Sequence, residues 1–278
     1  MSAYRFCRTD DIPLLVEALN ACSLPHTPGA APATAADLKR DIRELDLWCS
    51  SCMVAFEGSD PIGVLIGCKR PPHTLVRRIA VRPDHVRRGH GRHLLTSLSA
   101  KLAILGPKLL AAEVDALDAP ARALFEACGW REERRYADFT LDPSLAEPAP
   151  RGIVQVAAAD EVTHDLLPAD DAPRSWERIR GTLVKRMERL SALAIASMER
   201  LEAAALYSKE IDRVAVWSLS AVSDDALATL LRDLAHRERA PVVIPGIGDE
   251  EIEARRLLAI GLTREAEQIG FGAEARKA

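Results

Sequence analysis

The sequence predicts an α/β protein, of the α+β kind with a mixed sheet, and three observations carry this prediction. Strand-like apolar runs recur along all 278 residues and are separated by stretches with helical periodicity. In the first half, the order β-α-α-β-β-β-α-β-α-β combines hairpin-connected strands with strands that are joined through helices. The same order returns in weaker form in the second half, so we expect an internal duplication.

The first five elements follow from apolar patterns, helix caps and turn residues. Either Asp10 or Asp11 is suited to cap the first helix, and the turn sequence from Gly58 to Pro61 predicts a hairpin around it. The predicted elements are a strand at 4–8, helices at 10–20 and 35–48, and hairpin strands at 53–57 and 62–69.

The next five elements alternate strands with helices whose apolar residues share one face. The predicted strands are 75–81, 109–115 and 131–141, and the predicted helices are 92–105 and 120–128. The first of these helices has a stripe of leucines at positions 94, 98, 102 and 105. The second has apolar residues at i, i+3, i+4 and i+7, namely Ala121, Leu124, Phe125 and Cys128.

The second half shows the predicted duplication in two places. Residues 4–11 match 154–161 in pattern, and residues 121–139 resemble 254–271 with one residue deleted. Between these matches, we predict a hairpin, a strand, a helix and a further strand, in that order at 190–208, 212–221, 227–234 and 241–247.

The domain boundary is predicted from length and composition. At ~150 residues per domain, the length predicts about two domains. Residues 142–152 are rich in Pro and Ala and lack periodicity, which is typical of a linker. We therefore predict domains at residues 1–144 and 152–278.

Composition excludes several classes of protein. Hydrophobic residues make up 48% and charged residues 28%, as in ordinary globular chains, so disorder is excluded as the main state. A net charge of −4 and only 4% aromatic residues argue against nucleic acid as a partner. No run approaches the ~18 apolar residues of a membrane span, so we expect no membrane partner. The first residues contain no apolar signal region, and we expect a cytoplasmic protein with reduced thiols.

One run predicts an anion site. The strand that ends at Val81 is followed by Gly89 and Gly91, and a helix begins at about Arg92. Alternate glycines let backbone N–H groups converge, and a helix N-terminus adds partial positive charge. Three arginines add full charges: Arg87, Arg88 and Arg92. Together these features suit a pyrophosphate, although the residues alone also fit a tight turn on a basic surface.

This run resembles the acetyl-CoA loop of the GNAT acyltransferase superfamily, which reads R/Q-x-x-G-x-G/A after a strand ending in V-x-P. Here Val81-Arg-Pro83 precedes Val86-Arg-Arg-Gly-His-Gly91, with Val86 in place of the usual Arg or Gln. The resemblance implies that backbone groups of the preceding strand pair with the pantetheine arm. The implied cofactor-binding residues are Ile79, Val81, Arg87, Arg88, Gly89, His90, Gly91, Arg92 and Asp118.

A second block supports the first. The run Glu113-Val-x-x-x-Asp118-x-x-Ala-x-x-Leu-Phe125-Glu-x-x-Gly-Trp130 resembles the family's E-V-x-x-x-N-x-x-A-x-x-L-Y-E-x-x-G-F. The resemblance implies Glu113 as the general base, with an ion-paired strand carboxylate as the alternative. Asp118 stands where Asn commonly binds the cofactor arm. Phe125 stands where Tyr commonly protonates the thiolate, and another proton donor, such as Tyr136 or a water, could substitute for it.

The resemblance covers residues 4–141 and reaches the second half only as topology. It implies two GNAT-like acyl-CoA N-acyltransferase domains in tandem, and transfer from acetyl-CoA or another acyl-CoA to a primary amine of a small molecule or peptide, without metal. Residues 25–34 are expected to shape the acceptor site. The corresponding turn of the second half, residues 220–225, lacks the glycine pair and places two aspartates at the helix start. We therefore expect no CoA there.

Other interpretations stay open at this point. A non-catalytic acyl-CoA sensor or interaction module is the alternative function, and a purely structural scaffold is a third. The chain is expected to be a monomer or a homodimer. Cys49 and Cys52 form a CxxC pair after a predicted helix, where neither a redox motif nor a zinc site is expected. His85, His90 and His93 are expected to be solvated residues of the loop and helix.

Overall fold

The computed structural model describes residues 2–159, 161–169 and 173–277, and it forms two compact units. The first unit comprises Met1–Glu133 and Ile269–Ala278, and the second comprises Arg134–Gln268. The strands are β1 Ser2–Phe6, β2 Met53–Glu57, β3 Asp60–Arg70, β4 His73–Val81, β5 Leu109–Asp115, β6 Arg131–Leu141, β7 Val154–Ala157, β8 Ser191–Ala196, β9 Leu201–Lys209, β10 Val214–Ala221, β11 Val242–Gly248 and β12 Thr263–Glu274. The α-helices are α1 Ile12–Ser23, α2 Ala35–Glu44, α3 His90–Leu105, α4 Ala119–Ala127, α5 Thr163–Leu166, α6 Arg180–Arg186, α7 Asp224–Glu238 and α8 Ile252–Ala259.

The first unit contains a mixed sheet in the order β1-β2-β3-β4-β5, followed by the final residues of β12. The pairs β1–β2, β2–β3 and β3–β4 are antiparallel, whereas the pair β4–β5 is parallel. Beyond the end of β12, the Ala275 N–H donates to the Lys108 carbonyl at 2.7 Å. The predicted mixed α/β fold is therefore confirmed in this unit.

The core of the first unit lies between this sheet and helices α3 and α4. The leucine stripe of α3 is buried at positions 94, 98 and 102, as its periodicity predicts, whereas Leu105 at the end of the helix is exposed. Phe125 of α4 and Phe271 of β12 stack in this core with ring centroids 5.6 Å apart. The packing fixes the start of α3, which is where the sequence predicts the anion site.

The predicted element bounds hold closely, with one instructive difference. Strands β5 and β6 have the predicted limits, and Thr34 caps α2 through a capping box with Asp37. Helix α2 ends at Glu44, four residues before the predicted end. Asp46 adopts a left-handed backbone with φ 57°, and Leu47 then pairs with Cys68 of β3. A tertiary strand contact therefore ends a helix whose periodicity continues.

The second unit repeats the same element order, as the duplication predicts. Its sheet runs β7-β8-β9-β10-β11-β6, and the first residues of β12 lie beside β6. The strand pair β10 and β11 is parallel, like β4 and β5 in the first unit. Four leucines of α7 are buried in its core, as their stripe predicts: Leu227, Leu230, Leu231 and Leu234.

The division into units differs from the predicted domain boundary. The first unit includes the C-terminal end of the chain, and the division along the chain falls inside β6 rather than at 142–152. Residues 142–152 pack within the second unit, where the Ala149 N–H donates to the buried Asp233 carboxylate at 2.9 Å. Leu145 and Ala146 pack against the same core. A Pro- and Ala-rich composition predicted a linker, but its small apolar side chains are part of a packed surface.

None of the described helices is both long enough and apolar enough to cross a membrane.

Candidate functional site

Strands β4 and β5 part halfway along their length. Their parallel pairing runs from His73 opposite Leu109 to Val76 opposite Ala112, and the register ends there although both strands continue. At the same level, a β-bulge in β4 at Arg77 shifts its pairing with β3. The two strands therefore leave an open gap in the sheet, which we call the β4–β5 gap.

The backbone of β4 presents polar groups to this gap. The Arg82 N–H donates to the Ile62 carbonyl on the β3 side, at 3.0 Å. Because successive residues of a strand point their backbone groups to opposite sides, Val81 and Ile79 face away from β3 and into the β4–β5 gap. The ring of His26 lies 2.8 Å from the Val81 carbonyl and shows that this carbonyl is turned outward. The two predicted strand residues therefore have the orientation that pairing with an extended ligand requires.

The loop after β4 directs further backbone donors to the end of the gap. Residues Pro83–His85 form a 3-10 turn, and Arg87 and Gly89 then both adopt left-handed backbones, with φ 63° and 89°. Alternation of such residues makes adjacent N–H groups converge. Gly89 caps α3 without a side-chain hydrogen bond, and the first turn of α3 contains no acidic residue. The unpaired amides and the helix dipole therefore favour an anion.

Three exposed arginines surround these amides: Arg87, Arg88 and Arg92. No salt bridge joins any of them to another residue that the structure describes. The loop therefore combines directed backbone donors with full positive charges, which suits a multiply charged phosphate group.

Gly91 differs from Gly89 in its surroundings. It is buried in the first turn of α3, and a Cβ there would lie 2.9 Å from a terminal methyl of Leu124 on α4. Glycine at 91 therefore allows α3 and α4 to approach closely, whereas glycine at 89 supplies a backbone conformation. A sequence motif with two glycines does not distinguish these roles.

The expectation that the loop histidines are solvated is wrong for His85 and His90, which are both buried. His90 Nδ1 lies 2.7 Å from the Tyr4 hydroxyl, and burial lowers the pKa of His90. Its side chain is thus part of the fold, and only its backbone N–H in the first helical turn is presented to an anion. His93 is exposed as expected, and its ring packs on Tyr4 with centroids 3.8 Å apart.

His85 ties the loop to the edge of the sheet. Its Nε2 lies 3.0 Å from a Glu57 carboxylate oxygen, and its Nδ1 lies 2.9 Å from Asp84. These carboxylates raise the pKa of His85, with Glu57 as the larger cause. In the sequence, His85 is marked only by the aspartate that precedes it. An Asp-His pair is common in proteins and does not predict that the histidine is buried.

In β5, Glu113 comes directly after Ala112, which is the last residue that pairs with β4. In β5 the buried residues Leu110, Ala112 and Val114 alternate with less buried ones, so Glu113 lies on the sheet face opposite α3 and α4. It is half-buried at the point where the strands part, level with the bulge at Arg77 on β4. A carboxylate at this point is next to any group that enters the β4–β5 gap.

The sequence also singled out Asp118, Phe125 and Tyr136, and each of them is held by contacts within the fold. The Asp118 carboxylate caps α4 by accepting from the Ala121 N–H at 2.9 Å. Phe125 is buried between two aromatic rings, with Trp130 edge-on at 5.0 Å between centroids. Tyr136 lies in the second unit, where β6 pairs it with Gly248 of β11. Phe125 has no hydroxyl and cannot act as a proton donor. Tyr136, the alternative proton donor, belongs to the second unit.

His26 is a site residue that sequence reasoning missed. It ends the 3-10 turn that follows α1 and contacts the outward carbonyl of Val81. The other end of this segment is held by Asn20, whose side chain exchanges two hydrogen bonds with the Ala33 backbone. The segment at 25–34 was singled out by its composition, but a single histidine within it gave no signal.

The cysteines form no disulfide and are free thiols. Burial raises the pKa of Cys7 and Cys68 to about 12, and burial also raises the pKa of Cys49 and places that of Cys52 well above its usual range. The Cys49–Cys52 pair thus lacks the thiolate character of a redox motif. Among the described residues, no group of three or more His, Cys, Asp or Glu side chains is arranged to hold a metal ion.

The comparisons with known proteins agree with this geometry. Residues 17–130 match the sequence profile of the Acetyltransferase (GNAT) family. A comparison with curated protein sequences gives no match. The structure is similar to that of a tandem GNAT protein from the clavulanic acid biosynthesis pathway, with a TM-score of 0.69 and 16% identity over 100% of both chains.

Two further solved structures have the same fold. A GCN5-related N-acetyltransferase from Sphaerobacter thermophilus gives a TM-score of 0.67 with 15% identity, covering 99% of this chain and 96% of the other. A putative acetyltransferase from Pyrococcus horikoshii gives 0.64 with 16% identity, covering 99% and 90%. At these identities the likeness concerns the fold.

Proposed function

Residues 17–130 of this chain match the Acetyltransferase (GNAT) family, and its fold is similar to that of a tandem GNAT protein; from this premise we propose that its first unit is an N-acetyltransferase. It would transfer an acetyl group from acetyl-CoA to the primary amine of a small molecule or peptide. The observation that carries the proposal is the β4–β5 gap, which ends at an acid-free helix N-terminus.

The residues around the β4–β5 gap fit two parts of an acyl-CoA, its amide-containing arm and its pyrophosphate. The outward backbone groups of Ile79 and Val81 would pair with the amide-containing arm. The amides from Arg87 to Arg92, together with the three arginine side chains, would hold the pyrophosphate. Asp118 is retained as a contact to the arm on the resemblance alone, since its carboxylate already caps α4.

The chemistry requires one base and a polarised carbonyl. The ammonium of the acceptor loses a proton to Glu113, directly or through one water, and its nitrogen attacks the thioester carbon in a ternary complex. Backbone donors at the bulge, where β4 and β5 part, would stabilise the developing oxyanion. The C–S bond of the thioester would then break to give the amide and the CoA thiolate, and the second proton of the attacking nitrogen would pass to solvent.

The leaving thiolate does not need a strong acid. A thiol has a pKa of about 8.5, so the thiolate can depart and take its proton from water. This matters because Phe125, which stands where relatives have a tyrosine, presents no hydroxyl. The absence of that donor lowers the expected rate without removing the reaction.

A second candidate is a non-catalytic acyl-CoA sensor. The observations that favour it are the buried ring of Phe125 and the use of the Asp118 carboxylate as a helix cap. A sensor binds acetyl-CoA but transfers its acetyl group to no amine.

Calorimetric titration with acetyl-CoA, followed by an amine screen, tests the proposal. The Glu113→Gln variant should lower kcat at least tenfold with little change in acetyl-CoA affinity. The matched control is Glu126→Gln, the same chemical change on the exposed surface of α4. Unchanged turnover in the Glu113 variant would contradict its role as base, and absence of acetyl-CoA binding at millimolar concentration would contradict both candidate functions.

The second unit is proposed to bind no CoA. Its helix α7 is capped by Ser223 and carries Asp224 and Asp225 in the first turn, so negative charge stands where α3 has none. The free thiols fit the reducing cytoplasm that we propose as the location of the protein.

A further inference from the structure

The second unit has its own parted strands. Strands β10 and β11 pair in parallel only at Val214 with Val242 and Ala215 with Val243, and both strands continue beyond these pairs. A bulge in β10 at Trp217 interrupts its pairing with β9. It lies just beyond the last pair with β11, as the bulge at Arg77 lies just beyond the last pair of β4 with β5. The backbone of the second unit therefore has the same kind of opening, which we call the β10–β11 gap.

A single side chain bridges the β10–β11 gap. Arg178 is fully buried, and its Nε donates to the Trp217 carbonyl of β10 at 3.3 Å. Its Nη1 donates to the Gly246 carbonyl of β11, also at 3.3 Å. The guanidinium thus takes one backbone acceptor from each of the two parted strands.

The buried charge is neutralised locally. The Arg178 Nη1 lies 2.9 and 3.0 Å from the two carboxylate oxygens of Glu251, which also accepts from the Gly248 N–H at 2.7 Å. Glu251 is thereby fixed to the end of β11. The Trp217 and Gly246 carbonyls give the ion pair further hydrogen bonds, whereas the buried Nη2 of Arg178 has no hydrogen-bond partner among the described residues. Arg174 lies further from the same carboxylate, at 3.6 Å.

The backbone is shaped to receive this arginine. Gly246 has φ 60°, and a Cβ there would lie 2.5 Å from the hydroxyl oxygen of Ser175. The Arg178 N–H donates to the Ser175 carbonyl at 2.9 Å, so Ser175 and Arg178 belong to one turn that is seated against Gly246. No other residue type at 246 would combine this backbone conformation with this close approach.

We propose that Arg178 is an internal substitute for a ligand, which closes the β10–β11 gap and limits the chain to one acyl-CoA site. The guanidinium takes the Trp217 carbonyl at the bulge of β10 and the Gly246 carbonyl of β11, and it therefore occupies the start of the gap. The far end of this gap is closed as well, since Arg256 donates to the Ala221 carbonyl at 2.7 Å and pairs with Asp224. The comparison with acyl-CoA rests on the proposed function of the first unit, whereas the bridging of the two strands does not.

Hydrogen exchange of the full chain tests the bridge with two lysine variants. Arg178→Lys keeps a positive charge beside Glu251, but a single ammonium cannot occupy the positions of both Nε and Nη1. We expect amides in 216–221 and 244–248 to exchange at least tenfold faster than in the wild type, with amides in β9 and α7 changed less. The control is Arg174→Lys, which shares Glu251 but has no contact with these strands among its described hydrogen bonds and ion pairs. Exchange equal to the wild type, or an equal effect of both variants, would overturn the bridge.

The wild-type chain tests the second part without any substitution. With saturating acetyl-CoA, we expect slower exchange in 79–92 and unchanged exchange in 216–225 and 244–248. Slower exchange in the latter segments would overturn the closed gap. If acetyl-CoA slows exchange nowhere, the proposed function of the first unit fails, and the lysine variants still decide whether Arg178 bridges the strands.

Discussion

Gly89 and Gly58 both adopt left-handed backbones, at two different places in the first unit. Gly89 has φ 89° and caps α3, whereas Gly58 has φ 62° in the turn between β2 and β3. A Cβ built at either position meets nothing within 4 Å, so alanine there changes backbone preference alone. The left-handed region costs an L-residue about 1–2 kcal/mol, so we expect Gly58→Ala to lose about that much unfolding free energy. Gly89→Ala should lose less, because its exposed loop can relax in the unbound chain and the penalty then falls on binding.

Only the Gly89 variant should lose affinity for acetyl-CoA. If the amides before α3 hold the pyrophosphate, alanine reduces the population of the competent loop. A penalty of about 1–2 kcal/mol then weakens binding roughly 5- to 30-fold. Titration calorimetry gives the Kd of the wild type and both variants, and chemical denaturation gives their stabilities.

The pair of variants separates the loop from general stability. An unchanged Kd for Gly89→Ala, with a stability close to that of the wild type, would refute the assignment of the loop to the cofactor. A Kd weakened equally in Gly58→Ala would mean that the loss follows stability, because that turn is not part of the loop.

Two further outcomes follow from the buried side chains of the first unit. Phe125→Tyr should lower the unfolding free energy by about 1–3 kcal/mol in chemical denaturation without raising kcat, because its ring is enclosed and a hydroxyl there would be buried without a partner. A gain in kcat would instead mean that the hydroxyl reaches the thiolate. His85 has a raised folded-state pKa, so its stabilising contribution is complete below the unfolded value of about 6.5 and is lost as pH rises through the folded value. The stability difference between wild type and His85→Gln should therefore be larger at pH 6 than at pH 9, and an equal difference would show that the contacts with Glu57 and Asp84 do not depend on the charge of His85.

The sequence predicts elements well where local and tertiary preferences agree. Strand β5 and the leucine stripe of α3 satisfy both their own periodicity and the core that they enter. Helix α2 is the opposite case, because its periodicity continues to Trp48 while the pairing of Leu47 with Cys68 ends it early. The competing interaction comes from β3, which is distant in the sequence, so no window along α2 contains the information.

The backbone of the loop between β4 and α3 follows from the sequence in outline and less in its detail. The glycines, the arginines and the strand before them are adjacent in the sequence, and backbone geometry follows from such local patterns. The burial of His90 depends on Tyr4, which is 86 positions away in the sequence. The parting of β4 and β5 depends on two strands with a helix between them. Contacts of this kind are decided by packing and leave no local pattern.

The two units show why topology does not decide function. Both have parted parallel strands and a bulge at the same stage, so the backbone alone permits a ligand in each. Gly89 and an acid-free first turn distinguish α3, whereas Asp224 and Asp225 begin α7. The difference at the helices is readable in the sequence because caps are local.

The difference between the gaps is not readable in the same way. In a chain with 30 arginines, Arg178 is preceded and followed by others, and nothing in its sequence surroundings marks it as buried. Its role depends on two carbonyls, of Trp217 and Gly246, and on the carboxylate of Glu251. A buried arginine is tolerated only where such partners are fixed in advance. The two strands present these carbonyls to Arg178 because their parallel pairing ends early, so the bridge depends on contacts between segments that are distant in the sequence.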